Sequence, residues 1–202
     1  MKKLIIFNFD KTLTYKDTIR GFYFFAAKKN LSFPFKLLWF YFLVAKRKLK
    51  LISLTDLNYN AIKLFLAGYN KNKLDAIGKN YIKRIIFNEI YYSDYASISK
   101  NEENQVIVTS ASFGIYLKHI GFKHLLATEL EYENDRPVGL KFHNHSANKV
   151  KKLNEIGITV VDVLYTDSIS DLPLARIAKQ IILVRGNKKI VCNSVDEFLK
   201  AV

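Results

Sequence analysis

The sequence predicts an α/β protein, in which a parallel sheet of alternating strands and helices is interrupted early by a long helical insert. Short apolar runs suited to buried strands alternate with stretches of helical spacing, and one long helical stretch follows the first run. The chain has 202 residues, of which 50% are hydrophobic. That is enough for one buried core and an additional small unit.

The first predicted strand begins at Leu4 and runs into a loop that ends near Thr14. From about residue 17 to residue 97, the apolar residues recur at helical spacing. Four more strands are expected after this insert, at about residues 105–109, 124–131, 160–165 and 180–184. The helices between them are expected at about residues 113–120, 149–156 and 171–178.

The charge is concentrated in the insert. The whole chain carries a formal net charge of +14, and residues 15–100 contain 16 Lys and Arg against 5 Asp and Glu, a net +11. Such a segment favours anionic partners, namely phosphate esters, anionic lipid surfaces or nucleic acid. No nucleic-acid partner is expected, because no module of basic and base-stacking aromatic residues is recognisable.

The single cysteine, Cys192, excludes an internal disulfide and is typical of a reducing compartment. The sequence shows no secretory signal and no run of about 18 apolar residues. The expected location is therefore cytoplasmic, with peripheral attachment to the inner face of the membrane as a further option. The oligomeric state is left open.

Polar side chains follow the first strand at the point where it ends. Asn8, Asp10 and Thr12 alternate with other residues in this loop. Ligands of open α/β sheets bind at the carboxyl ends of the strands, so these groups are expected at a binding crevice. The alternative is an ordinary turn, in which Asp10 and Thr12 bond the neighbouring backbone.

Three later positions have the same strand-to-helix context. Ser110 and Ala111 follow a strand, and Lys149 is expected at the start of a helix. Asp167 and Asp171 follow another strand, four residues apart and among small hydroxyl residues. Each has a structural alternative, such as a helix cap or a surface lysine. The nearby pair His143 and His145 is expected to be ordinary loop histidines, since no other metal-ligating residue has suitable spacing.

Taken in order, these four motifs resemble those of the haloacid dehalogenase superfamily. The first resembles DxDxT and the fourth resembles GDSxSD, with Thr166 where glycine is common. The branch similar to phosphoserine phosphatase carries a helical cap between the first two motifs. The resemblance implies a Rossmann-like doubly wound parallel sheet core with an inserted all-helical cap domain. The core would comprise residues 1–16 and 98–202, and the cap residues 17–97.

The resemblance also implies a magnesium-dependent phosphomonoesterase that acts through an aspartyl-phosphate intermediate. Position 8 would be the nucleophile and Asp10 the general acid and base. Ser110, Ala111 and Lys149 would bind the phosphoryl group. The Mg²⁺ ligands would be the side chains of Asn8 and Asp167 and the main-chain oxygen of Asp10, and the supporting residues would be Thr12 and Asp171.

Asn8 is the departure from this pattern, because the family places its nucleophilic aspartate there. A neutral amide oxygen is a very poor nucleophile, so the chain as written is expected to be inactive. Two interpretations follow. One is a phosphatase whose nucleophile position has been changed, with a small-metabolite or lipid phosphate as substrate. The other is a natural non-catalytic pseudophosphatase that binds a phosphorylated ligand.

An aromatic segment within the insert, residues 33–45, is followed by Lys46, Arg47 and Lys48. It resembles the caps of bacterial phosphatidylglycerophosphate phosphatases of the same superfamily. Such a segment can lie in a membrane interface, with its lysines on anionic lipid. A helix that is apolar on all sides is normally buried, however, so the preferred expectation is that the segment forms the core of the cap.

Overall fold

The structure, a computed structural model, describes residues 2–202. Within them a single seven-stranded sheet has the order β4-β3-β2-β1-β5-β6-β7. The five central strands are parallel, and both edge strands are antiparallel to their neighbours. This arrangement confirms the predicted α/β fold. The strands are β1 (Lys3–Asn8), β2 (Asn104–Phe113), β3 (Leu125–Glu133), β4 (Arg136–Phe142), β5 (Val161–Thr166), β6 (Ala178–Arg185) and β7 (Lys188–Cys192).

The helices fall into a long insert after β1 and shorter connections between the later strands. Those of the insert are α1 (Thr18–Ala27), α2 (Phe33–Lys48), α3 (Leu54–Phe65), α4 (Lys71–Tyr81) and α5 (Glu89–Lys100). The later ones are α6 (Gly114–Leu117), α7 (Ala147–Glu155), α8 (Leu172–Ala175) and α9 (Val195–Ala201).

The two chain segments that join the insert to the sheet lie side by side. Thr14 and Phe87 form an antiparallel bridge, and the amide of Asn88 donates to the carbonyl of Leu13. Beyond this bridge α5 packs on β1 and β2, where Tyr95 stacks edge-on against Phe7 with ring centroids 5.7 Å apart. We therefore propose that the cap ends near residue 87 and that α5 belongs to the core, rather than to a cap of residues 17–97.

The cap and the sheet share one apolar core. Phe22 of α1 packs on Tyr116 of α6, with ring centroids 4.7 Å apart, and Tyr23 packs edge-on against Phe113 at 5.6 Å. The Tyr81 hydroxyl, on α4, donates to the carbonyl oxygen of Thr18 at 2.7 Å. This shared packing fixes the cap over the carboxyl ends of β1 and β2.

Helix α2 differs from the expectation that residues 33–45 form the core of the cap. Only Phe40 and Leu43 of this helix are buried. A row of four apolar side chains, at the spacing i, i+3, i+4 and i+7, faces outward instead. These residues, called here the α2 outer face, are Phe35 (75% exposed), Leu38 (74%), Trp39 (54%) and Phe42 (47%).

The helix expected at residues 113–120 begins at Gly114 as α6, after Phe113 of β2 has paired with Thr128 of β3, and continues as a 3₁₀ turn at Lys118–Ile120. The helix expected at residues 171–178 is shorter in the structure. It ends as α8 at Ala175, because β6 begins at Ala178 to pair with Val161 of β5. The edge strands β4 and β7 and the helix α9 were not predicted.

Candidate active site

The predicted site residues converge at the carboxyl end of the central strands. Asn8 ends β1, which lies between β2 and β5, and Asp167 directly follows β5. A cavity of about 180 Å³ opens between this edge and the cap. Its core side includes Asn8, Asp10, Ala111, Lys149 and Asp167, and its cap side includes Asp17, Leu54 and Asn58.

The Asn8 side chain is buried and makes three hydrogen bonds. Its amide nitrogen donates to the main-chain oxygen of Asp10 at 3.1 Å and to Oδ1 of Asp167 at 2.8 Å. Its amide oxygen accepts from Nζ of Lys149 at 3.0 Å. These three partners use the full donor capacity of the amide group, and they fix the side chain in one orientation.

Lys149, on α7, lies between two oxygens and is almost fully buried. Its Nζ donates to Oδ1 of Asp171 at 2.7 Å, in an ion pair whose side chains are 4% and 1% exposed. The other Asp171 oxygen accepts from the hydroxyl of Thr166 at 2.7 Å. Because an ammonium has three donors, one N–H of Lys149 is left for a ligand in the cavity.

The Asp10 carboxylate accepts four hydrogen bonds, which is a different role from free proton transfer. Oδ1 accepts from the amide and the hydroxyl of Thr18, each at 2.7 Å. Oδ2 accepts from the hydroxyls of Ser110 at 2.9 Å and Ser112 at 2.8 Å. In this arrangement Asp10 connects the loop after β1 to both β2 and the first turn of the cap.

Ser110 is fully buried within the last part of β2 and is not among the residues that line the cavity. Its hydroxyl donates to Asp10 while accepting from the amide of Ser112. The helix expected to follow from about residue 113 begins at Gly114. Ala111 and Ser112 are the residues of this motif that reach the cavity.

Asp167 receives its hydrogen bonds on one oxygen. Oδ1 accepts from Asn8 and, at 3.4 Å, from the hydroxyl of the buried Thr12. Burial raises the pKa of Asp167 above its ordinary value, and the neighbouring Asp171 charge raises it further. The hydrogen bond from Asn8 acts in the opposite direction. Thr12 thus contacts Asp167 directly, and Asp171 acts on Asp167 through its charge.

Sequence reasoning placed His143 and His145 in an ordinary loop, but both line the cavity. Their rings stack with centroids 5.3 Å apart, and Nδ1 of His143 is 3.2 Å from the hydroxyl of Thr55 on α3. Burial and the neighbouring His145 lower the pKa of His143 to about 4. The signal available in the sequence was their position just before Lys149, in the loop that leads to α7.

Two of the three oxygens expected to bind Mg²⁺ converge. They are the main-chain oxygen of Asp10 and a carboxylate oxygen of Asp167, both hard ligands of the kind that Mg²⁺ prefers. The third group differs from this expectation, because Asn8 presents its amide nitrogen to both of them and turns its oxygen to Lys149. Residues 2–202 also contain no cluster of three His, Cys, Asp or Glu side chains placed to hold a metal. The side chains as arranged do not fit the expected ion.

The fold and the order of the motifs define a Rossmann-like α/β core with a helical insert after its first strand. A model of the haloacid dehalogenase-like hydrolase family matches residues 5–176. The chain belongs to this family, as its motifs predicted. No curated protein sequence matches the chain.

Solved structures with the same fold include both uncharacterised proteins and phosphatases. A protein of unknown function from Bordetella pertussis Tohama I has a TM-score of 0.74 at 17% identity, covering 91% of this chain and 90% of its own. A phosphoserine phosphohydrolase-like protein from Francisella tularensis subsp. tularensis SCHU S4 has a TM-score of 0.63 at 17% identity, covering both chains fully. A substrate-bound phosphoserine phosphatase has a TM-score of 0.64 at 21% identity, covering 100% and 99%. At these identities the likeness is one of fold.

Proposed function

We propose that this protein binds the phosphoryl group of a phosphomonoester in the cavity at Asn8 and Lys149, and that Asn8 prevents its hydrolysis. The observation that carries the proposal is the buried Lys149 ammonium. It is held by Asp171 and Asn8 and has one N–H left to donate. Charge-assisted hydrogen bonds of this kind are well suited to phosphate oxygens.

The proposed chemistry is that of a phosphatase whose nucleophile is missing. An aspartate at position 8 would attack phosphorus and form an acyl-phosphate, while the oxygen of the leaving group departs with a proton. Water would then cleave the acyl-phosphate and release inorganic phosphate. The amide of Asn8 cannot take the first step, since its nitrogen lone pair is delocalised and its oxygen is neutral. The ligand would therefore bind without turnover.

The experiment that tests this proposal compares the chain that carries Asn8, called the natural chain below, with Asn8→Asp in a phosphate-release screen. The panel should contain sugar, lipid, nucleotide and amino-acid phosphates, each with and without Mg²⁺. We expect almost no turnover by the natural chain and a rise of several orders of magnitude in Asn8→Asp, which restores the nucleophile. Requirement of the variant for Mg²⁺ is part of the same expectation. Equal activity of the two proteins would remove position 8 from the mechanism.

A natural, non-catalytic phospho-ligand-binding role is the second candidate. It is supported by the three hydrogen bonds of the Asn8 amide, which make the asparagine a fully paired member of the site. Under this proposal the natural chain binds inorganic phosphate, and Asn8→Asp gains no activity on any member of the panel. A gain of activity would favour the first candidate, in which the remaining machinery is intact.

We also propose that the α2 outer face contacts an anionic lipid surface, which would bring a lipid phosphate to the cavity. The face is apolar and exposed, and Leu49 and Leu51, which follow the helix, are exposed as well (71% and 65%). Basic residues follow at the end of the helix, and each is worth about 1 kcal/mol near an anionic bilayer. One of them, Arg47, is close enough to His145 to lower its pKa, after the larger effects of burial and Lys149. Among residues 2–202, no helix combines the length and the apolar character of a membrane span.

Trp39 provides a direct test of this contact, since it is the only tryptophan of the chain. Insertion into lipid should shift its fluorescence to shorter wavelength on vesicles that contain phosphatidylglycerol, and high salt should reduce the shift. Co-sedimentation with the same vesicles should likewise be reduced by high salt. The double variant Phe35→Ser, Leu38→Ser should lose binding while keeping Trp39. A soluble substrate is favoured if the natural chain is retained by neither anionic nor neutral vesicles.

A further inference from the structure

The Asn8 amide nitrogen occupies the position between two oxygens where the motif resemblance places a cation. Its two N–H groups are directed to the main-chain oxygen of Asp10 and to Oδ1 of Asp167. These are two of the three oxygens expected to bind Mg²⁺. The third would be the side-chain oxygen at position 8, which here accepts from Lys149 instead. A neutral donor thus satisfies acceptors that otherwise need a metal ion.

The orientation of this amide is determined by its neighbours. Rotation by half a turn would place the amide nitrogen against the Lys149 ammonium and the amide oxygen against the Asp167 carboxylate. Both new contacts are repulsive, because each joins two donors or two acceptors. All three present hydrogen bonds would be lost as well. A cation that used the Asn8 oxygen would have to cause this rotation and also displace both N–H groups.

An aspartate at position 8 would favour a cation over an N–H donor at these oxygens. It has no N–H to offer, so two carboxylates would face each other where Asn8 and Asp167 are now 2.8 Å apart. Like charges at this separation destabilise each other strongly, and a divalent cation is the group that relieves them. The exchange of a single side chain therefore changes which partner the same two oxygens require.

We propose that the Asn8 amide replaces the divalent cation, so that the natural site binds a phosphoryl anion without Mg²⁺ and excludes Mg²⁺ from these oxygens. The ligand part of this inference rests on the proposed function, but the exclusion of the metal does not. The remaining charges are consistent with it, because Lys149 is already present as the cation that faces the ligand. Asn8→Asp converts the site into one that depends on Mg²⁺.

Calorimetry separates these two parts when Mg²⁺ and inorganic phosphate are titrated individually. The natural chain should bind phosphate equally in EDTA and in millimolar Mg²⁺, and should release no heat with Mg²⁺ alone. Asn8→Asp should bind Mg²⁺ at least about tenfold more tightly, since a second carboxylate now faces the ion. It should bind phosphate only when Mg²⁺ is present. Asn154→Asp, an exposed change on α7, is the matched control and should behave as the natural chain.

The inference is overturned if the natural chain binds Mg²⁺ as tightly as Asn8→Asp does, or if the variant gains no Mg²⁺ binding. Failure of the natural chain to bind phosphate under either condition would instead count against the proposed function. If Asn8→Asp does not fold, NMR of the natural chain provides the test. The side-chain amide resonances of Asn8, assigned by their loss in Asn8→Ser, should be protected from exchange and unchanged by Mg²⁺. Paramagnetic Mn²⁺ should not broaden them, and selective broadening would also overturn the inference.

Discussion

The cavity at Asn8 and the α2 outer face differ in the burial and the pairing of their side chains. At the cavity, Asn8, Lys149 and Asp171 are buried and linked to one another. On α2, large apolar side chains are exposed, and the rings of Trp39 and Phe42 on this helix lie with centroids 5.2 Å apart. Buried polar groups are costly unless paired, whereas exposed apolar patches indicate a contact surface. The buried side chains of the first region are therefore held mainly by one another, whereas the apolar side chains of the second remain exposed to solvent.

Removing one charge from the buried region should have the largest effect. Lys149→Ala leaves the Asp171 carboxylate buried without its cation, and breaking such a pair costs about 3–5 kcal/mol. The free energy of unfolding in urea measures this loss. Binding of inorganic phosphate should disappear in the same variant, because the ammonium that faces the cavity is gone.

Lys151→Ala is the control, since it removes the same charge from the exposed side of the same helix. It should change the free energy of unfolding by no more than about 0.5 kcal/mol. If both variants lose stability equally, the effect comes from helix α7 and not from the buried pair. The buried Lys149 and the exposed Lys151 would then not differ in their contribution to stability.

The sequence predicted which residues meet at the site better than it predicted what they do there. Asn8, Asp10, Lys149 and Asp167 converge because the carboxyl ends of parallel strands share one edge of the sheet. The four hydrogen bonds of Asp10 were not predictable, because they depend on Thr18 and Ser112 approaching from two different elements. The direction of the Asn8 amide depends on Lys149 in the same way, across 141 residues of sequence.

Two leucines on α2 should differ in how much their replacement lowers the unfolding free energy, by less than the two lysines of α7 do. Leu43 is 5% exposed and Leu38 is 74% exposed, although both lie in the same apolar segment. Leu43→Ala should cost about 2–4 kcal/mol of unfolding free energy through lost burial and the remaining cavity. Leu38→Ala should be within about 0.5 kcal/mol of the natural chain but should weaken vesicle binding. Equal destabilisation by the two changes would mean that Leu38 is buried and that the segment is cap core.

Segments with a clear period were predicted, and segments at the edges were not. The central strands were found as apolar runs, while β4 contains Pro137 and Gly139, which argue against an interior strand and are tolerated at an edge. The residue pair Asn134-Asp135 was a usable sequence signal for the turn before β4, since Asn and Asp are favoured where a hairpin turn needs positive φ. Both residues adopt positive φ here, at 47° and 64°. The outward face of α2 could not be read from its sequence. Apolar residues lie on all sides of that helix, and only packing against α1 and α3 decides which of them are covered.

The smallest effect is expected at His143, where the cavity meets the cap. Its pKa is about 4 because burial and His145 disfavour the imidazolium, against an ordinary value of 6.5. The unfolded chain therefore binds a proton first as the pH falls. The stability from this neutral histidine is fully present above pH 6.5 and is lost as the pH falls toward 4. Between pH 7.5 and 5, the natural chain should lose roughly 1–2 kcal/mol more unfolding free energy than His143→Gln.

Urea unfolding at several pH values measures this difference, with His124→Gln as the control for loss of an exposed histidine. His124→Gln should follow the natural chain across the whole range, since that side chain does not line the cavity. Parallel pH profiles of the natural chain and His143→Gln would mean that His143 is as accessible to water as a surface group. Lys149 would then be the last buried residue on this side of the cavity, and the loop before α7 would be exposed to solvent.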